Sequence, residues 1–196
     1  MDKHKEVYVS IDIESDGPVP GLNSMLSLGA VAIGWNNNKA EWQVSQSFNA
    51  NLKSLPEPAA PDGRTMQEFW LKNPKAWTEA TENAMDPAYI MSQFVDWCRD
   101  VQAFWGRRPI ALCGPAGFDF AYVRYYLQRF TGDDFPFRHS CIDLKTVASM
   151  KLNLPYKDSG KSSYPKHWSR DMFPHTHKAV DDALEQGWLY ARMLDS

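Results

Sequence analysis

Asp12 and Glu14 lie two residues apart at the end of a segment in which Val7, Val9, Ile11 and Ile13 alternate with Tyr8, Ser10, Asp12 and Glu14. Alternation with period two marks a β-strand, and on a strand the two carboxylates share one face, about 6.6 Å apart at Cα. On a solvent-facing strand they would be ordinary surface acids. A first strand in an α/β sheet is usually central and covered on both faces, and charges there are costly unless they coordinate something.

Two further groups stand where side chains can do chemistry. Asp119 occurs in CGPAGFDFAYV, just after an apolar run and in the first turn of a helical pattern. An acid there also suits the helix N-terminus, a preference worth about 0.3–1 kcal/mol. His177, Asp181 and Asp182 occur in HTHKAVDDALEQ, which opens the last helical pattern. A histidine beside carboxylates can move protons near neutral pH. His175 competes with His177 for that role, and acids at a helix start are common without catalysis. No one of these features decides the function.

The elements that must carry them follow from periodicity and turn chemistry. After the first strand, DGPVPGLNS is a turn, MLSLGAVAIG a second strand, NNNK another turn and EWQVSQSFNA a third strand, which together predict an antiparallel meander. Residues 53–63, with three prolines, predict a loop. Helical spacing predicts helices over 64–72 and 87–102, a short buried strand over 109–114 and a helix over 118–129. A strand over 141–143 places Asp143 to cap a following helix, and residues 153–173 are irregular. The last helix, 177–194, carries Ala179, Ala183, Gly187 and Ala191 four apart, a stripe that lets another element approach closely. The expectation is one α/β domain over residues 1–196.

Composition narrows the class. The chain has 196 residues, 43% of them hydrophobic, so it can bury a substantial core and is neither disordered nor fibrous. A net charge of −3 argues against a polyanion binder that works by bulk charge. The total hides an asymmetry: residues 120–178 carry +5, leaving −8 for the rest. Cys98, Cys113 and Cys141 are an odd number without close spacing, so they are expected to be reduced rather than a disulfide framework or zinc site. No apolar run approaches the roughly 20 residues of a membrane span, so a cytoplasmic protein is expected.

Taken together in chain order, the motifs are Asp-x-Glu on the first strand, Phe-Asp after the fourth, and His-x-Ala-x-x-Asp-Ala opening the last helix. This set resembles the DnaQ-like, or DEDDh, 3'-to-5' exonucleases of the ribonuclease H-like superfamily. Leu26 to Val31 is similar to the Ile-Glu-Ile-Gly-Ala-Val strand of that family, and Cys141 to Leu144 to its Asp-Thr/Ser-Leu segment. The resemblance spans about residues 7–194. A looser likeness of residues 64–76 points to the branch of phage exonuclease A and the mycobacterial-type exoribonucleases. The chain departs from the pattern in having Ser15 where Thr is usual and Pro115 where the second motif has Asn.

The resemblance implies a mixed five-stranded sheet, three antiparallel strands followed by parallel ones, flanked by helices. It also implies two divalent ions, Mg2+ or Mn2+, held by Asp12, Glu14, Asp119 and Asp182, with His177 as general base. Family spacing selects Asp182 over Asp181 and His177 over His175. The implied reaction is phosphodiester hydrolysis at a single-stranded or frayed 3' end, releasing nucleoside 5'-monophosphates. Ser15, Met25, Leu26 and Phe118 fall where that family contacts the terminal nucleotide, and Trp70 and Trp77 suit either core or stacking. Homodimers occur among such proteins. The alternatives are a catalytically silent nucleic-acid or protein binder of the same fold, which tends to lose one of the acids or the histidine, and another class of metal hydrolase, which would need a His-Asp pair or an early His-x-His that this chain lacks.

Overall fold

A computed structural model describes residues 5–132, 135–168 and 178–196. Five strands form one sheet in the order β3-β2-β1-β4-β5. They are β1 (Val7–Ser15), β2 (Met25–Asn36), β3 (Glu41–Asn51), β4 (Ile110–Cys113) and β5 (Cys141–Asp143). β1 pairs antiparallel with β2, and β2 with β3; β4 runs parallel to β1, and β5 parallel to β4. The predicted meander and the parallel extension are both present.

Residues Val7 to Ile11 of β1 are buried, as the centre of a sheet covered on both sides requires. On one side Val7, Val9, Ile11 and Ile13 pack with Phe94, Val95 and Cys98 of α3 (Pro87–Trp105) and with Val123 and Leu127 of α4 (Ala116–Thr131). On the other, Tyr8 packs with Leu189 and Tyr190 of α6 (Ala179–Asp195) and Ala148 of α5 (Leu144–Leu152). The face bearing Ser10, Asp12 and Glu14 is therefore the one that α6 covers, and the surface-strand reading of these acids is excluded.

The small-residue stripe of α6 makes this possible. Ala179, Ala183, Gly187 and Ala191 are all buried, and a Cβ placed on Gly187 would already touch Ser10 and Ile33 at 3.4 and 3.7 Å. The helix thus lies close against β1 and β2.

Two local expectations change. The helix expected over 64–72 breaks at Phe69 into α1 (Gly63–Glu68) and a 3-10 turn, Trp70–Lys72, and α2 (Pro74–Thr81) follows. The break turns Trp70 inward, where it is 2% exposed and packs with Leu26, Ala76 and Ala80. The irregular stretch expected over 153–173 contains 3-10 turns at Tyr156–Asp158 and Lys161–Ser163. All three cysteines are free thiols, and among the described residues no helix is long and apolar enough to cross a membrane.

Candidate active site

Asp12 and Glu14 emerge near the carboxyl end of β1, opposite Gly29 and Ser27 of β2. Asp182 comes from the first turn of α6. One carboxylate oxygen from each of these three residues lies within 4.8 Å of the others, and all three side chains are half-buried. A fourth candidate acid, Asp119, comes from α4 and lies outside that 4.8 Å group, but near enough to raise the carboxyls of Asp12 and Glu14. It is 3% exposed, and its Oδ2 is buried without a hydrogen-bond partner.

The position of Asp119 depends on a second acid. Helix α4 begins at Ala116, two residues earlier than periodicity predicts, so Asp119 is a full turn inside and its own amide already bonds Pro115 O at 3.2 Å. One oxygen of Asp143 accepts the Ala116 amide at 2.9 Å, while the other accepts the Thr146 amide at 2.7 Å. A single carboxylate therefore anchors the first turns of both α4 and α5, and the predicted Asp143 cap does twice the expected work.

The acids raise one another's carboxyls. Burial pushes the Asp12 carboxyl well above the usual carboxylate range, and repulsion from Asp119, Asp182 and Glu14 adds to it. Glu14 is pushed up to about 8, by burial first and then by Asp182 and Asp119. Burial raises Asp119 to about 7, against hydrogen bonding by the backbone of Ile13 and its own. Protonation or a counter-cation can relieve such a cluster.

Among the described residues the group is all carboxylate, a donor set that suits a hard cation such as Mg2+ or Mn2+. The orphaned Asp119 oxygen fits the same occupant, because a buried acceptor without a partner is costly unless something binds it. His177 and its competitor His175 lie outside the described residues.

Two contributors escaped the sequence reading. Gln186 is 3% exposed and donates from Nε2 to Asp12 Oδ1 at 2.7 Å; it sits one helical turn beyond Asp182, so i+4 spacing from a candidate ligand was the available signal. Asp16 is fully buried, accepts the Ser24 amide on Oδ1 at 2.5 Å and leaves Oδ2 without a partner. Its backbone carbonyl accepts the Asp62 amide at 2.8 Å, tying the loop after β1 to the proline-rich excursion.

The four residues expected to contact a terminal nucleotide separate into two kinds. Phe118 is half-buried and packs on Tyr122 with ring centroids 5.4 Å apart. Ser15 Oγ donates to Gly17 O at 2.8 Å, and Met25 and Leu26 are 0% and 1% exposed. Leu26 is covered by the Trp70 cluster, and Trp70 Nε1 donates to Ser15 O at 3.0 Å. Ser15, Met25 and Leu26 therefore build the wall behind the acids, and their side chains present no open surface.

Comparison with known proteins agrees with this architecture. No protein-family model matches the chain. The chain is 28% identical to the 3'-5' DNA exonuclease Cap18 of Escherichia coli over 196 residues, covering 100% of this chain and 95% of that one. Among solved structures, the nuclease domain of 3'hExo, a DEDDh family member bound to rAMP, superposes with a TM-score of 0.72 at 13% identity, covering 100% of this chain and 94% of that one. Exonuclease I of E. coli, in complex with a dT13 oligonucleotide, superposes with a TM-score of 0.62 at 15% identity, covering 97% of this chain and 40% of that one.

Proposed function

We propose that this chain is a 3'-to-5' exonuclease of the DEDDh type, which removes nucleoside 5'-monophosphates from single-stranded or frayed nucleic acid by metal-dependent phosphodiester hydrolysis. The observation that carries the reading is the convergence of Asp12, Glu14 and Asp182 oxygens within 4.8 Å of one another, beside a buried Asp119 with an unpartnered oxygen. Full-length similarity to a DNA exonuclease makes DNA the first substrate to test, with RNA beside it.

Asp12, Glu14, Asp119 and Asp182 would hold two divalent ions, Mg2+ or Mn2+. Bound there, such ions activate water and stabilise the departing 3' oxygen. Gln186 fixes the rotamer of Asp12 by donating to one oxygen, which leaves the other oxygen free to coordinate. The Asp143 clamp holds the turn that presents Asp119. His177 is the proposed general base, because an unperturbed imidazole, with a pKa near 6.5, can take a proton from water at neutral pH. The half-buried ring of Phe118 offers the terminal base an apolar contact, and Ser15, Met25 and Leu26 shape the wall behind it.

The test is to incubate the protein and its Asp12→Ala and His177→Ala variants with 5'-labelled DNA and RNA, single- and double-stranded, in Mg2+ or Mn2+. A ladder shortening from the 3' end is expected, with the variants reduced by about a thousandfold, as the loss of several kcal/mol of transition-state stabilisation implies. Equal ladders from the variants would overturn the mechanism. The absence of a ladder from every substrate, with binding retained, would favour a silent binding protein.

A further inference from the structure

Behind the acid cluster, on the side of α5 and α6, lies a cavity of about 400 Å³ lined by Gly114, Pro115, Lys145, Tyr156, Lys161 and Tyr164, with Gln186 at its inner end. Its volume falls in the range of about 300–1,000 Å³ typical of clefts that take small organic groups. Gln186 joins this cavity to the acids, because its Nε2 bonds Asp12 at 2.7 Å while its Oε1 is buried without a partner. That oxygen lies against Gly114, where a Cβ would come within 3.2 Å of it.

The lining combines cations with aromatic rings. Lys145 Nζ sits 4.6 Å from the centroid of Tyr156, and half of Tyr156 is exposed. Tyr164 is held edge-on by Trp168, with centroids 5.7 Å apart. Lys161 Nζ lies at the rim, 2.5 Å from Glu185 Oε2. Pro115 brings no amide hydrogen to its wall, so contact and stacking rather than hydrogen bonding must dominate there. Cations that track phosphates and rings on which bases stack are the means by which proteins hold single strands without reading sequence.

We propose that this cavity is a second nucleotide site, which takes a base and phosphate on the 5' side of the bond being cut, with Tyr156 as the stacking surface and Lys145 as the phosphate contact. The assignment rests on the exonuclease reading above. An enzyme acting at a 3' end confines the terminal nucleotide and must let the rest of the strand leave; a groove beside the acids that opens to solvent at Tyr156 provides that exit. The unpartnered Gln186 oxygen can accept from a base or sugar donor at the inner end. The same residue then touches both the reacting centre and the neighbouring nucleotide.

The experiment measures binding and catalysis separately. Binding is followed by anisotropy of 5'-fluorescent phosphorothioate DNA of two and eight nucleotides in Ca2+, and catalysis by hydrolysis of the p-nitrophenyl ester of thymidine 5'-monophosphate in Mg2+, which has no nucleotide on the 5' side. Tyr156→Ala is expected to weaken eight-nucleotide binding roughly tenfold, the scale of one stacked base, and Tyr156→Phe to restore it. Lys145→Ala is expected to flatten the log–log salt dependence by about 0.7. Ester hydrolysis should be unchanged in all three. Wild-type affinity for the eight-nucleotide strand in Tyr156→Ala and Lys145→Ala would overturn the site, as would a parallel loss of ester hydrolysis and thermal stability, which would make these residues structural. If the wild-type protein binds the strand but hydrolyses neither ester nor DNA, the exonuclease reading fails while the nucleotide site stands.

Discussion

A Cβ placed on Gly29 would lie 2.1 Å from the carbonyl carbon of Ala179 and 2.1 Å from the amide nitrogen of Val180. Gly29 is the partner of Asp12 in the β1–β2 ladder, and Ala179 opens the helix that delivers Asp182. The missing side chain therefore sets the distance between the two ends of the acid cluster. Gly29→Ala should push the start of α6 outward, because the obstructing atoms are backbone. We expect a destabilisation of about 1–3 kcal/mol, typical of overpacking, together with weaker Mn2+ binding by calorimetry. Gly63→Ala, with nothing within 4 Å of the new Cβ, is the matched control. Unchanged Mn2+ affinity in Gly29→Ala would mean that Asp182 is not positioned by this contact.

Gln186→Leu removes the donor that favours the charged form of Asp12. The Asp12 carboxyl should then rise further, and occupancy of the site by cation should need a higher pH. A shift of the acid limb of the pH–activity profile to higher pH is expected, with the maximal rate recovered at high pH. A uniform loss of rate at every pH would assign Gln186 a packing role instead.

The raised carboxyls also fix a sign for stability. Glu14 at about 8 and Asp119 at about 7 hold protons in the metal-free fold that the unfolded chain releases near pH 4. The folded state thus binds more protons between about pH 4 and 8, and metal-free stability must fall as pH rises through that window. Divalent cations replace those protons, so the gain in Tm on adding Mg2+ or Mn2+ should be larger at pH 8 than at pH 6. Scanning calorimetry at the two pH values, with and without metal, checks both signs. A metal-induced gain independent of pH would contradict the assignment of these acids as ligands.

Tyr126→Phe tests the wall behind the site. Tyr126 Oη accepts the buried Met25 amide at 2.7 Å, so its loss strands a donor at a cost of about 1–3 kcal/mol. Because Met25 starts β2 just past the loop closed by Asp16 and Ser24, KM should rise more than kcat falls. Urea unfolding and steady-state kinetics would show whether stability and substrate binding move together.

Much of the site was legible because it rests on short-range geometry. Period-two spacing alone put Asp12 and Glu14 on one face, and an Asp before a helical run announced the Asp143 cap. What sequence could not show was long-range. The bond from Gln186 to Asp12 spans 174 residues, the second bond of Asp143 reaches back 27 residues to α4, and the burial of Leu26 depends on a helix break at Phe69 that turns Trp70 inward. Periodicity placed Met25 and Leu26 on a strand beside the acids, but whether their side chains face a ligand or a core depends on what packs over them. The charge sum misled in the same way: −3 says nothing about where the negative groups converge.

The acid cluster draws its first members from β1 and its last from α6, at opposite ends of the order in which the chain is synthesised. A growing polypeptide that has completed β1 to β5 holds Asp12, Glu14 and Asp119 but lacks both Asp182 and the amide of Gln186. On the proposed ligand set, a complete site must therefore await the docking of residues 179–195.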